Sequence, residues 1–210
     1  EGGSMTDIYV YNQLTKDNNG NIKVDQNGNL GITSSNTPVK VGNLDADFNL
    51  GWINHFTYKG IDLGVVLSAR VGGLAYSATQ GILDYYGVSE VSASVRDNGG
   101  APINNGKVDA QKYYQTISTG EGGYGRYYLY SATNVRLQEL SLNYTLPRKW
   151  FKNVANVTLG VVGRNLWMIY CKAPFDPELS ASTSSNYYMN VDYFMQPSLR
   201  NFGFNVKVQF

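Results

Sequence analysis

The sequence has one cysteine, Cys171, and one histidine, His55, in 210 residues. A lone cysteine closes no internal disulfide and lacks the partners a metal cluster needs, so no metal or cofactor is expected. A Ser-His-Asp or Cys-His nucleophile would have to be built on His55, which sits in no nucleophile motif, so the chain is not expected to be an enzyme. It has no Walker A loop and no HExxH. Gly120-Glu121-Gly122-Gly123-Tyr124-Gly125 is Gly-rich but lacks the strand-then-helix setting of a phosphate cradle, and reads as a flexible loop. Charged residues are scarce, 16% against about a quarter in ordinary soluble domains. The net charge is +1 and Lys and Arg form no stripe, so no nucleic-acid partner is expected. No apolar run reaches the ~18 residues of a transmembrane helix. The mean hydropathy of −0.30 does not speak against membrane-crossing strands, because alternation averages hydropathy away.

The start, Glu1-Gly2-Gly3-Ser4 with Met5 behind it, carries no signal peptide. An exported protein would therefore have to be a processed or cut piece here, and the length suggests one domain.

What is abundant points to strands and turns: Gly 23 and Tyr 17, with many Asn and β-branched residues. The clearest period is at the C-terminus. Phe202, Phe204, Val206, Val208 and Phe210 alternate with Gly203, Asn205, Lys207 and Gln209, giving a strand with one apolar and one polar face. Chain ends usually fray, so an aromatic at the last position calls for a reason. A membrane β-barrel supplies one, with lipid outside and a polar lumen inside.

Read by period two, six strands emerge. The first is a weak one over Met5 to Leu14. The second, Asp47 to Tyr58, puts Phe48, Leu50, Trp52, Phe56 and Tyr58 on one face. The third, Ile61 to Val71, follows the two-residue turn Lys59-Gly60. The fourth lies near Tyr127 to Leu146, and its apolar phase slips at Gln138-Glu139, as a β-bulge would make it. The fifth runs from Asn156 to about Ile169 and the sixth from Ser198 to Phe210. The connections alternate between long (15–46, 72–126, 170–197) and short (59–60, 147–155), the pattern of outer-membrane barrels with short periplasmic turns and long external loops. Asp62, Arg70, Arg136, Glu139, Arg164 and Lys207 all fall on the lumen phase, and a lipid-facing Lys or Arg at the midplane would cost ~2–4 kcal/mol. Asn54 and Asn165 fall on the lipid phase, and each marks either an interface or another bulge. Tyr58, Trp150 and Phe151 on the short-turn side, and Tyr127, Tyr128, Trp167, Tyr170, Tyr193 and Phe194 on the long-loop side, suit interfacial girdles, although β-propensity also places aromatics in strands. Residues 202–210, extended over about 30 Å and tilted, cover roughly 21 Å, close to the ~25 Å apolar band.

At the fourth and fifth strands the wording becomes specific. The run Ala132 to Pro147 (Ala-Thr-Asn-Val-Arg-Leu-Gln-Glu-Leu-Ser-Leu-Asn-Tyr-Thr-Leu-Pro), Gly163-Arg164-Asn165-Leu166-Trp167 and Phe175-Asp176-Pro177-Glu178 resemble the end of SusC/RagA-type TonB-linked outer-membrane transporters. Asp47-Phe48-Asn49-Leu50-Gly51-Trp52, Tyr58-Lys59-Gly60-Ile61-Asp62-Leu63 and Val71-Gly72-Gly73 are similar to the hairpin before it. The resemblance runs from about Lys40 to Phe210, with a gap through 72–126. The family's acidic Asp-Gly-rich segment survives only as Asp17-Asn18-Asn19-Gly20-Asn21 and Asp25-Gln26-Asn27-Gly28-Asn29. Ile22 and Leu30 stand where an EF-hand wants glycine, so tight turns are expected there, without calcium.

The resemblance implies an all-β membrane barrel segment, the C-terminal part of a barrel of about 22 strands, in the bacterial outer membrane with its C-terminus at the periplasmic side. It also implies an N-terminal plug and a TonB-binding segment upstream of Glu1, a SusD-like surface lipoprotein as lid, and oligomeric substrates, oligosaccharide or peptide. Expected neighbours are thus the remaining segments of the same barrel and its plug, the lipoprotein, the TonB system and the lipid membrane. Candidates for substrate or lid contact are the paired aromatics Tyr85-Tyr86, Tyr113-Tyr114 and Tyr187-Tyr188, with loop packing as the alternative role. Asp176 and Glu178, flanking Pro177, read as turn residues. Phe210 resembles the terminal aromatic read by barrel-assembly machinery. The rival reading, a soluble all-β carbohydrate-binding module, requires Phe202, Phe204, Val206, Val208 and Phe210 to be buried, whereas the barrel requires them exposed.

Overall fold

A computed structural model describes residues 2–118, 124–179 and 190–210. The chain forms two compact units. The sheet unit comprises Ala46–Gly72, Ala132–Glu178 and Gln196–Phe210; the mixed unit comprises Glu1–Asp45, Gly73–Ser131 and Leu179–Met195.

Strands β1 (Asp7–Leu14), β2 (Ile32–Asn43), β5 (Leu74–Ser77), β6 (Ala101–Ile103), β7 (Gly106–Val108), β8 (Leu129–Ser131) and β11 (Val191–Asp192) lie in the mixed unit. Strands β3 (Phe48–Tyr58), β4 (Ile61–Val71), β9 (Asn134–Thr145), β10 (Asn156–Cys171) and β12 (Asn201–Gln209) make the sheet unit, one antiparallel sheet in the order β12-β10-β9-β4-β3. Every neighbour in space is the next of these strands in sequence, which is an up-and-down meander. Lys59 (φ 45) and Gly60 (φ 86) close the β3–β4 hairpin; positive φ at both central positions is the type I′ turn that matches strand twist.

Register carries the hydrophobic pattern across the sheet. Ile61, Tyr144, Leu159 and Val206 stand in one row, and Leu63, Leu142, Val161 and Phe204 in the next. The opposite face holds the row Asp62, Asn143, Gly160 and Asn205. A Cβ at Gly160 would collide with the amide groups of Asn143 and Asn205, so glycine lets these side chains approach across the strands. Thr57 donates to Asp62 over 3.0 Å, and Arg164 pairs with Glu139 at 2.7 Å. The terminal residues are exposed: Phe202 80%, Phe204 68%, Val206 54%, Val208 47% and Phe210 95%. That is the barrel expectation and the opposite of a soluble sandwich core. Because β12 runs away from the long connection, Phe210 lies at the same end as the turns 59–60 and 146–155.

The phase slip in the fourth strand is a bulge. On β4, Val66 faces Glu139 and Leu67 faces Leu137, so Gln138 has no partner of its own. On β10, Arg164 faces Glu139 and Trp167 faces Leu137, leaving Asn165 and Leu166 over. Asn165 takes φ 51, a left-handed conformation asparagine tolerates better than most residues. Asn165 therefore marks a bulge, while Asn54 pairs regularly with Val65 and needs another account.

Four expectations change. The fourth strand does not start near Tyr127: Tyr124–Tyr128 form a 3-10 helix and β9 begins at Asn134. The weak first strand is not in this sheet: β1 pairs with β2, and β2 occupies part of the segment 15–46 that reads as a connection. Tyr128 belongs to no girdle; it is buried in the core of the mixed unit with Leu14, Leu30, Ile103, Val108, Tyr114 and Ile117. The segment 72–126 also contains three helices, α1 (Ala78–Tyr85), α2 (Glu90–Asp97) and α3 (Ala110–Ser118). Side-chain caps start them. Ser77 accepts from Gln80 N, Ser89 from Ser92 N, and Asp109 from Lys112 N, each satisfying a donor that a helix start leaves open. Between β1 and β2, Asp17 Oδ1 accepts from Asn19 N and Asn21 N, and Asp25 Oδ1 repeats this with Asn27 N and Asn29 N. These backbone donors hold both carboxyls below their usual range, and the two Asx turns close with Gly20 at φ 85 and Gly28 at φ 79.

If the bulge sets the faces, deleting Gln138 turns either Val135 and Leu137 or Leu140, Leu142 and Tyr144 to the polar side. Deletion should abolish the folded, heat-modifiable form of the full-length protein on a gel, while Gln138→Ala retains it. Equal folded yields would show that the bulge does not fix the register.

Candidate functional site

In the mixed unit the three helices frame a cleft of about 310 Å³. The C-terminal end of α1 contributes Asp84 and Tyr85, and Tyr86 and Gly87 follow it. α2 contributes Ser92 and Arg96, and α3 presents Gln111, Tyr114 and Gln115. The rings of Tyr85 and Tyr86 meet edge to face at 5.1 Å, as do those of Tyr113 and Tyr114. Tyr86 is 71% exposed and Tyr114 only 7%, so the first pair forms the mouth and Tyr114 an inner wall. Asp84, 5% exposed, organises the polar side. Its Oδ1 accepts from Gln80 Nε2 at 2.9 Å and Ser89 Oγ at 2.5 Å, and its Oδ2 from Tyr128 OH at 3.0 Å. Burial first, and the Asp84 charge second, push the phenol of Tyr114 up; the same two causes push up Tyr128.

In the sheet unit a second polar cluster forms, from the motifs that carry the family resemblance. Arg136 of β9, 4% exposed, grips Asp176 with both guanidinium ends, Nη2 to Oδ1 at 2.7 Å and Nη1 to Oδ2 at 3.2 Å. Its Nη2 is also 3.3 Å from Glu178, and its Nε donates to Asn134 Oδ1 at 3.3 Å. Asn165, the bulge residue of β10, donates to Leu199 O at 3.3 Å. Strands β9 and β10 are thereby tied to both ends of the connection 172–200. Burial would raise the carboxyl of Asp176, but the Arg136 guanidinium, the Ser198 hydroxyl and the Glu178 N–H outweigh it and hold it below the usual carboxylate range.

Of the residues singled out from sequence, Tyr85, Tyr86 and Tyr114 come together in the cleft. Tyr113 packs against the core instead, and Tyr187 and Tyr188 lie outside the described residues. Phe210 ends the sheet's edge strand. Asp176 does serve its turn, accepting from Glu178 N at 3.1 Å, but its pairing with Arg136 is a larger role that turn chemistry does not signal. His55 stands exposed on the polar face. Asp84, Arg96, Gln111 and Gln115 had no motif to announce them. Their only signal is helical spacing within 78–118, which a search by period two passes over.

No family model matches the chain. Two curated proteins of Formosa agariphila are similar to it. "TonB-dependent receptor P3" is 27% identical over 217 residues, covering 100% of this chain and 21% of its own length. "TonB-dependent receptor P39" is 27% identical over 161 residues, covering 74% of this chain and 15% of its own length. The chain thus spans about a fifth or less of these relatives. Among solved structures, the RagAB peptide importer in its "open-open" state shares the fold with a TM-score of 0.55 at 16% identity, over 98% of this chain and 22% of that one. Its "closed-closed" state gives 0.52 at 18% identity, over 97% and 22%. The resemblance to part of a SusC/RagA-type, TonB-dependent barrel therefore holds over the whole chain, and the proteins it matches are receptors and transporters.

Removing one partner of a buried ion pair costs about 3–5 kcal/mol, because the other charge is left unpaired. Asp176→Asn should therefore lower the urea midpoint of the full-length protein, and the double change Arg136→Met with Asp176→Leu should recover part of the loss. Because the folded carboxyl is held low, its contribution is complete above the unfolded value near 3.9 and disappears as pH falls through the lower folded value. Cleavage within 172–200 by an acid-active protease should then be unchanged from pH 7 to 5 and rise only below about pH 4. A rise at pH 6 would show that the pair does not hold the connection.

Proposed function

We propose that this chain is the C-terminal part of the wall of an outer-membrane, TonB-dependent importer of oligomeric nutrients, glycan or peptide, acting with a SusD-like surface lipoprotein. The observation that carries this reading is the five-stranded meander with one continuous, exposed apolar face and alternating short and long connections. A soluble sheet of this size covers its apolar face with a second layer; a barrel wall leaves it for lipid. The edge strands Phe48–Tyr58 and Asn201–Gln209 fit pairing with further strands of the same barrel, since closure alone removes sheet edges. In this reading the polar face, with Asp62, Asn143, Asn205 and the Arg164–Glu139 pair, lines the lumen and meets the plug. The short turns and Phe210 face the periplasm, and the long connections face the outside, where substrate and lipoprotein arrive. Import energy comes through the plug and the TonB system, so this segment supplies wall, specificity surface and docking surface and performs no chemistry of its own. The likeness to TonB-dependent receptors over the whole chain supports the outer-membrane location.

Adjacent positions test the two faces. Leu142→Lys, at the centre of the apolar face, should destabilise the full-length barrel in lipid vesicles by about 2–4 kcal/mol. Asn143→Lys, beside Asp62 in its row, should change stability by less than about 1 kcal/mol. Urea titration compares them, and equal losses would remove the lipid assignment. At the chain end, Phe210→Ala should lower the amount of inserted protein on immunoblots of outer membranes while leaving uptake per inserted molecule unchanged. Normal insertion would refute an assembly role for Phe210.

A further inference from the structure

The cleft between the three helices has a feature that packing alone leaves unbalanced. Asp84 is 5% exposed, and its three donors, Gln80, Ser89 and Tyr128, are all neutral. These bonds satisfy the oxygens but leave the charge uncompensated, and among the described residues Asp84 makes no ion pair. Carboxylates are rarely buried without a cation. In the sheet unit, Asp176 follows that rule with Arg136. In the mixed unit Asp84 and Asp192 do not, Asp192 accepting from Ser77, and of these two it is Asp84 that lines the cleft.

The surroundings favour a cation arriving from outside. Tyr85, Tyr86 and Tyr114 line the cleft, and tyrosine faces attract cations through the ring quadrupole. Gln111 and Gln115, one turn apart on α3, offer amide donors and acceptors of the kind that pair with a peptide backbone. Arg96 also borders the cleft. Its Nη1 is turned to Gly87 O at 3.4 Å, and its Nε makes only a long, exposed pair with Asp97 at 3.9 Å, with the Arg96 side chain 61% exposed. A buried negative group and an exposed positive one make the cleft dipolar. That arrangement complements an oligomer carrying an ammonium with a carboxylate further along, and disfavours a bare polyamine. A neutral glycan would leave the Asp84 charge as it is.

We propose that this cleft binds the primary ammonium of a peptide, its N-terminus or a lysine side chain, with Asp84 as counter-ion, the tyrosines as cation-facing walls and Arg96 receiving a carboxylate. The proposal rests on the importer reading for its physiological setting, since it selects peptide over glycan for that surface. Its chemistry can be measured apart from transport.

The test is calorimetric binding to the detergent-solubilised full-length protein. The probes are an alanine–lysine pentapeptide with free termini, the same peptide acetylated at every amine, and maltopentaose. The free peptide should bind at least ten times more tightly than the acetylated one, and Asp84→Asn should remove that preference. Tyr86→Ala, at an exposed position outside the Asp84 hydrogen bonds, should weaken the free peptide about threefold to tenfold. If Asp84→Asn fails to fold, the acetylated peptide on the unaltered protein decides the matter. Equal affinity for the two peptides, or tighter maltopentaose binding that Tyr86→Ala weakens, overturns the proposal. Peptide binding without uptake by cells would leave the cleft standing and count against the importer. Uptake with no effect of acetylation would do the reverse.

Discussion

Cross-strand register is the constraint on which the sheet unit depends. Side chains alternate with a period of two, so a slip of one residue exchanges the faces along an entire strand. Here five strands must agree at once. The type I′ turn at Lys59-Gly60 fixes β3 against β4, and the bulge at Gln138 lets β9 change phase without turning Leu140, Leu142 and Tyr144 inward. Asn165 absorbs the same irregularity on β10 through a left-handed backbone. The outcome is a row-by-row match of apolar with apolar and polar with polar across the sheet. Each cross-strand pair contributes only about 0.2–1 kcal/mol, so the alignment is enforced by their number and by the penalty for a charge on the wrong face.

The buried carboxylates of Asp176 and Asp84 show different uses of charge in one chain. Asp176 is compensated by Arg136 in a bidentate pair, and that pair joins residues that are far apart in sequence. Such pairs add little net stability, since desolvation offsets attraction, but they enforce one arrangement because breaking them is expensive. Asp84 has comparable burial and only neutral donors. It too organises its surroundings, linking α1 to the cap of α2 and to Tyr128, yet its charge remains available to a ligand. The mixed unit around it is built like a small soluble domain, with capped helices and the apolar cluster of Leu14, Ile103, Val108 and Ile117.

How much of this could be read in the sequence follows the range of the interactions. The sheet was legible because its information is local: alternation, one phase slip and one two-residue turn name β3 and β4 almost to the residue and find β9, β10 and β12. Alternation carries the start of β9 too far forward, to Tyr127 instead of Asn134, into what is a 3-10 helix and a strand of the mixed unit. The terminal Phe210 and the lengths of the connections ordered them. The mixed unit was far less legible. Its helices are eight or nine residues long, too short for a helical period to stand out, although Ser77-x-x-Gln80 and the Asp109 cap are start signals that a helix-directed reading would use. β1 and β2 pair across two Asx turns whose polar composition resembles an unstructured connection. The Arg136–Asp176 contact spans 40 residues and obeys no spacing rule, so only the fold brings its motifs together. The tyrosine pairs pointed toward the right surface, but which ring also lines the cleft depends on the helix face, and that separates Tyr114, a core residue that forms a cleft wall, from Tyr113, which only packs against the core.

The central claim is that the apolar face of the sheet is solvated by lipid. The most direct measurement places a fluorophore on single cysteines at 204, 205, 206, 207 and 208 of the full-length protein, with Cys171 changed to Ser, and quenches it with brominated acyl chains after reconstitution. The account predicts strong quenching at 204, 206 and 208 and weak quenching at 205 and 207. Quenching without that alternation, or strongest at 205 and 207, would contradict it.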